Sequence, residues 1–249
     1  MGNMAFNSNI TISSRNAENR TQEDLDMLQR ILFKGEELSG NHSVVREYEG
    51  KLANFFGVKH AVATSSGTAA LHIALEAVDT KPEDEIIVPV TGAVMSAMPI
   101  IISKATPIFV DIEPNSFEIN IKELEQKINC KTKAIISVPM WGYSTYSKQL
   151  DRISKKYNIP IIEDAAQAIG TKNGIKYEGT LGKVGCFSTH ELKLISTGEG
   201  GFILTSDEKL AMKMKSFSKI GFCTIEKSFG CRKGLNYKLS PLSAGLGIQ

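Results

Sequence analysis

Residues 60–112 read HAVATSSGTAALHIALEAVDTKPEDEIIVPVTGAVMSAMPIIISKATPIFVDI, and their rhythm decides the fold. Short apolar, β-branched runs (AVATS, DEIIVPV, TPIFVDI) alternate with helical stretches, the first of them GTAALHIALEAV. Each run is too short for a helix and too uniformly apolar for a strand with one wet face. That is the pattern of parallel strands covered on both sides. The alternation continues through IKELEQKI, KAIISVP, SKQLDRISKKY and IPIIEDA. The spacing therefore predicts an α/β fold with a mostly parallel, doubly wound sheet flanked by helices.

Upstream of this stretch, residues 1–20 are rich in Asn, Ser, Thr and Arg without periodicity and read as a mobile arm. Thr21 with Glu23 and Asp24 offers a helix start, and Leu25, Leu28, Ile31 and Leu32 recur behind it at helical spacing. A second helix is predicted over 44–56, with Val45, Tyr48, Leu52 and Phe55 on one face and Gly57 as its stop. Downstream, CFSTHELKLISTGEGGFILTSD reads as two short strands around a glycine-rich turn, with a helix over 208–219. GLNYKLSPLSAGLGIQ reads as a loop entering a last helix.

Composition narrows the function classes. The 249 residues are 42% hydrophobic and 22% charged, which is ordinary globular usage, and 29 basic against 27 acidic residues leave a net charge of +2. No Lys/Arg run makes a phosphate-tracking stripe, so nucleic acid is not an expected partner. No stretch approaches the roughly 20 apolar residues of a membrane span, and the first residues lack a signal-peptide core. Met1-Gly2 resembles an acylation start, but Phe6 stands where Ser or Thr is wanted. A cytoplasmic protein is expected. Cys130, Cys186, Cys223 and Cys231 form no CxxC pair and have no His at ligand spacing, so free buried thiols are expected and no metal site.

In such sheets ligands bind beyond the carboxyl ends of the strands, and the residues found there are polar. Ser65-Ser66-Gly67-Thr68 stands between a strand and a helix, where backbone N–H groups and hydroxyls make an anion site; an ordinary N-cap is the plainer alternative. Glu163-Asp164-Ala165-Ala166-Gln167 ends IPII. A carboxylate desolvated at a strand tip needs a positive partner, either a protonated cofactor ring or an internal salt bridge or cap. Lys193 lies five residues after Ser188 and just before Thr197-Gly198-Glu199-Gly200-Gly201. A lysine held in a pocket becomes a nucleophile able to form a Schiff base, whereas most lysines are solvated. Phosphate cradle, ring carboxylate and nucleophilic lysine together are the requirements of a pyridoxal 5'-phosphate (PLP) site. Neither GxGxxG nor GxxxxGK[ST] follows a strand, which argues against a nucleotide-binding α/β domain.

In SSGTAALHIAL, DEIIVP, PIFVDIEP, IIEDAAQAIG, GCFSTHELKLISTGEGGFILT and GLNYKLS, the sequence resembles the DegT/StrS family of sugar aminotransferases, in register from about residue 35 onward. The resemblance implies the large domain of a fold type I PLP transferase over 21–249. It implies that Gly67 and Thr68, helped by Ser188, hold the cofactor phosphate. By the same resemblance Asp164 pairs with the pyridine nitrogen, Gln167 contacts the ring hydroxyl, and Lys193 forms the Schiff base and then shuttles the proton. Asn236 matches the residue that reaches the phosphate from a neighbouring subunit, which implies a homodimer. The implied reaction moves an amino group from glutamate or glutamine to a keto sugar, nucleotide-linked, or a keto cyclitol. Family members with histidine in the lysine position dehydrate sugars instead; counting back from Gly198 places Lys193, and not His190, at that position.

Three departures stand out. Ala93 occupies the place of the family's ring-stacking aromatic, with Met95 the neighbouring side chain available to the ring. Lys238 stands where Arg is common, and the usual Asp-Met is replaced around Tyr146 to Lys148. The family's small C-terminal domain is expected to be missing. The alternative to a self-sufficient enzyme is thus an incomplete PLP domain, or half of a split aminotransferase whose partner chain supplies that domain.

Overall fold

The computed structural model describes residues 20–223 and 227–249, so the arm expected at the start falls, up to residue 19, outside the described residues. Nine strands form: β1 (His60–Thr64), β2 (Glu85–Pro89), β3 (Thr106–Val110), β4 (Thr132–Ser137), β5 (Ile161–Asp164), β6 (Lys172–Asn173), β7 (Lys176–Tyr177), β8 (Val184–Ser188) and β9 (Gly201–Thr205) among the described residues. Seven make one sheet in the order β1-β9-β8-β5-β4-β2-β3. The run from β8 to β3 is parallel, and β9 is antiparallel to both of its neighbours, β8 and β1. The glycine-rich turn expected between the last two strands accordingly closes an antiparallel pair inside the parallel sheet.

The period of two along each strand sorts the core into layers. Val62, Ile203, Cys186, Ile162, Ile136 and Val88 face one side, with Leu71, Ile73 and Leu75 of α3 (Gly67–Ala77) and Met214 of α7 (Glu208–Ser218) packed on them. Ala63, Phe202 and Phe187 face the other side beneath α1 (Gln22–Phe33), α2 (Ser43–Phe56) and α8 (Pro241–Ile248). Ile87, Ile135 and Ile161 carry that second side on toward α5 (Ile121–Lys127) and α6 (Lys148–Tyr157). The remaining helix, α4 (Val94–Ile102), packs against α3. No helix among the described residues is long and apolar enough to cross a membrane.

Two helix faces differ from the sequence reading. Thr21 does cap α1, in a capping box with Asp24, but Leu25 and Leu32 are exposed and the buried stripe is Asp24, Met27 and Ile31. The rotation is set by α8: a Cβ at Gly245 would sit 2.4 Å from Ile31 Cδ1, so the helices touch along Ile31 rather than along the leucines. In α2 the inward ring is Phe56, not Phe55. Phe56 packs 5.1 Å from Phe187 and 5.9 Å from Phe202, centroid to centroid, while Phe55 stacks on Tyr177 from outside. No disulfide joins the four cysteines, but only Cys186 is buried; Cys130 and Cys231 are exposed and Cys223 is half-buried, because all three lie outside the strand core.

Candidate active site

The carboxyl ends of β1, β5 and β8 meet at a cavity of about 330 Å³. Its lining includes Gly67, Thr68, Asp164, Gln167, Ser188 and Lys193, six positions brought together from three separate segments of sequence.

The first wall is the start of α3. Ser66 is extended, and its Oγ accepts the Ala69 N–H at 3.0 Å, while the Ser66 carbonyl accepts the Ala70 N–H. The N–H groups of Gly67 and Thr68 have no partner among the described residues, so the cap and the anion site coexist at this helix end. A Cβ on Gly67 would lie 2.7 Å from Ser188 Cβ, so only glycine allows the helix start to meet the end of β8.

The floor is Asp164, buried at the tip of β5. It accepts a 2.6 Å hydrogen bond from Ser96 Oγ at Oδ2 and a long 3.4 Å contact from the Ala166 N–H at Oδ1. Burial pushes its carboxyl above the usual range, against the pull of these donors and of the Lys193 charge. Its chain neighbour Glu163 faces elsewhere: its carboxylate accepts the N–H groups of Gly179, Leu181 and Gly182 at 2.6 to 2.8 Å, and burial still lifts it to about 7.

Lys193 rides on the loop after β8, half-buried, its N–H donating to the His190 carbonyl at 2.8 Å. The loop is cinched where Thr189 and Thr197 hydroxyls meet at 2.7 Å. His190 also lines the cavity, with Nε2 3.7 Å from Glu199. Gln167 Oε1 accepts the N–H of Trp141, a residue at φ 50° within the 3-10 turn Met140–Gly142. Trp141 and Tyr143 pack around Phe117 and remain exposed beside the opening.

Asn236 does not join this group. It pairs by backbone bridge with Lys219, and its side-chain oxygen accepts from Lys238. Its neighbour Tyr237 touches the site indirectly, through a carbonyl that accepts the Ser65 N–H at 2.9 Å. Ala93 and Met95, ahead of and within the first turn of α4, also line the cavity. The sequence reading missed Ser96, although a lone polar residue in the apolar helix VMSAMPIII was a usable signal. No group of His, Cys, Asp and Glu among the described residues could hold a metal ion.

The residues present fit PLP. Free helix-start N–H groups and hydroxyls suit a phosphate, a buried carboxylate with one oxygen weakly engaged suits a protonated ring nitrogen, and an amine faces the same space.

Known proteins resemble this chain in sequence and in fold. The model of the DegT/DnrJ/EryC1/StrS aminotransferase family matches residues 18–249. GDP-perosamine synthase of Caulobacter vibrioides is 37% identical over 202 residues, which are 81% of this chain and 54% of that protein. UDP-2-acetamido-2-deoxy-3-oxo-D-glucuronate aminotransferase of Pseudomonas aeruginosa is 33% identical over 237 residues, 94% of this chain and 65% of that protein. The crystal structure of NtdA from Bacillus subtilis with bound cofactor PMP superposes with a TM-score of 0.83 at 30% identity, covering 91% of this chain and 51% of that one. The chain thus spans between about half and two thirds of the length of these relatives.

Proposed function

The chain belongs to the DegT/DnrJ/EryC1/StrS aminotransferase family, and from that premise we propose that it is a PLP-dependent aminotransferase that moves an amino group from glutamate or glutamine to a nucleotide-linked keto sugar. The observation that carries the proposal is the meeting of Lys193, Asp164 and the free start of α3 around one cavity.

When bound, PLP supplies an aldehyde that condenses with amines and a protonated ring that draws electrons from the carbon bearing the nitrogen. The protein's part follows from its residues. The N–H groups of Gly67 and Thr68, with the hydroxyls of Thr68 and Ser188, bind the phosphate at the positive end of α3. Asp164, through its weakly engaged Oδ1, would hold a proton at the ring nitrogen, and Gln167 would contact the ring hydroxyl. Lys193 Nζ would take a proton from the amine-bearing carbon of the donor and return one to the carbon of the acceptor. Leu71, Val138 and Met140 line the cavity with apolar surface, which excludes water and strengthens each of these charge interactions.

The relatives' names favour a keto-sugar acceptor. A second copy of the chain would bring its Asn236 to the phosphate, consistent with this residue standing outside the cavity of its own subunit. Protein incubated with PLP, glutamate and a panel of nucleotide-linked keto sugars should form amino sugar and 2-oxoglutarate. Formation of neither product with any keto sugar, under conditions where PLP is bound, would refute the assigned reaction.

A further inference from the structure

Ser96 is the only polar residue of α4, sits in its first turn, and is buried at 1% exposure. A helical serine usually turns its hydroxyl back to the carbonyl four residues earlier. Here the hydroxyl donates instead to Asp164, 68 residues away, at 2.6 Å. The bond falls on Oδ2 and leaves Oδ1 with only the 3.4 Å contact from Ala166. We propose that Ser96 is a positioning residue for the cofactor: it clamps one oxygen of Asp164, orients the carboxylate and leaves the other oxygen for the ring N–H. This rests on the PLP reading of the site and extends it to a cavity-lining side chain whose hydroxyl is spent on the carboxylate.

The charge environment makes the clamp matter. Lys193 from the loop after β8 is the cation that acts on Asp164. From β8 itself comes the Cys186 thiol, pushed well up by burial and by the carboxylates and therefore neutral. Glu163 spends its oxygens on three backbone N–H groups and offers Asp164 no donor. From α4 comes only Ser96. Its O–H is the short, charge-assisted bond that favours the ionised form of a carboxylate that burial disfavours.

Losing that bond makes Asp164 more basic, so the shared proton moves from the ring toward the carboxylate. A less positive ring withdraws fewer electrons, and the nitrogen attached at the cofactor's aldehyde carbon holds its proton to higher pH. The test uses the full chain stripped of cofactor and reconstituted with PLP. PLP binding is titrated by quenching of Trp141, the sole tryptophan, and the visible band of bound cofactor is followed against pH. Ser96→Ala should weaken PLP binding about tenfold and move the pH midpoint of the band upward by about half a unit or more. Ser96→Thr, which keeps the hydroxyl, should restore both. A purely packing role would change the melting of the cofactor-free protein without moving the midpoint. A wild-type midpoint in Ser96→Ala, or a Ser96→Thr that behaves like the alanine variant, overturns the inference while leaving the PLP site standing. Absence of PLP binding by the unmutated chain would instead overturn the site reading, and this inference with it.

Discussion

The two walls of the cavity are built differently. On one side Asp164 and Ser188 end β5 and β8, strands buried throughout, Gly67 of α3 packs directly on Ser188, and Asp164 is held by a 2.6 Å hydrogen bond from Ser96. Elsewhere the lining comes from Ala93, Met95 and Met140, with Met95 at 50% exposure and Trp141, next in the chain to Met140, at 69%. The floor is fixed because a parallel sheet fixes the ends of its strands. The other wall is made of loop and first-turn residues, whose side chains are free to vary without disturbing the core.

The largest effect should come from Lys193, on the loop that leaves β8. Lys193→Ala should lower amino transfer by about a thousandfold or more and leave the thermal midpoint nearly unchanged, because the side chain is only half-buried. Activity within tenfold of the unmutated chain would detach the lysine from the chemistry. Gly67→Ala should cost about 1–3 kcal/mol by overpacking, since its Cβ would lie 2.7 Å from that of Ser188. Denaturant titration reads the stability, and PLP binding should weaken in parallel.

The floor also carries a pH signature. Glu163 is lifted from 4.5 to about 7 by burial, so between those values the folded chain holds a proton that the unfolded chain has released. Stability from this group is therefore largest below the ordinary value and declines as pH rises toward 7. Asp164, Glu178 and Glu49 are also raised, chiefly by burial, and add to the same slope. The melting temperature should be higher at about pH 5.5 than at about pH 8. Glu163→Gln should flatten that slope while lowering stability overall, because its amide nitrogen cannot accept a backbone N–H.

The open wall should be forgiving. Ala93→Phe should change stability by no more than about 0.5 kcal/mol and tighten PLP binding about two- to tenfold by ring stacking. A large loss of stability there would show the two walls to be equally rigid.

The strand and helix rhythm was legible because burial on both faces leaves short, uniformly apolar runs, as in β5 and β8; β3, read the same way, is the sheet edge and only Val110 of it is buried. The cavity lining was legible in the polar residues that follow the strands: Gly67, Thr68, Asp164, Gln167, Ser188 and Lys193 all line it. Helix rotation was less so: α1 carries two apolar stripes side by side, and the choice between them depends on α8, more than 200 residues away in sequence. The β6–β7 hairpin was overlooked: Asn173 pairs with Lys176, so its two-residue turn is Gly174-Ile175, with Gly174 at φ 64°. Ser96 stood out as a lone polar residue in an apolar helix, but its partner, a carboxylate 68 residues away, is brought to it only by the folded sheet.

The most direct test of the account is reductive trapping on the unmutated chain. Protein incubated with PLP and treated with borohydride should carry the reduced cofactor on the peptide containing Lys193, and on no other lysine stoichiometrically. A label on a different lysine, or bound PLP that is never trapped, would contradict the assignment of Lys193, Asp164 and the start of α3 to one catalytic site.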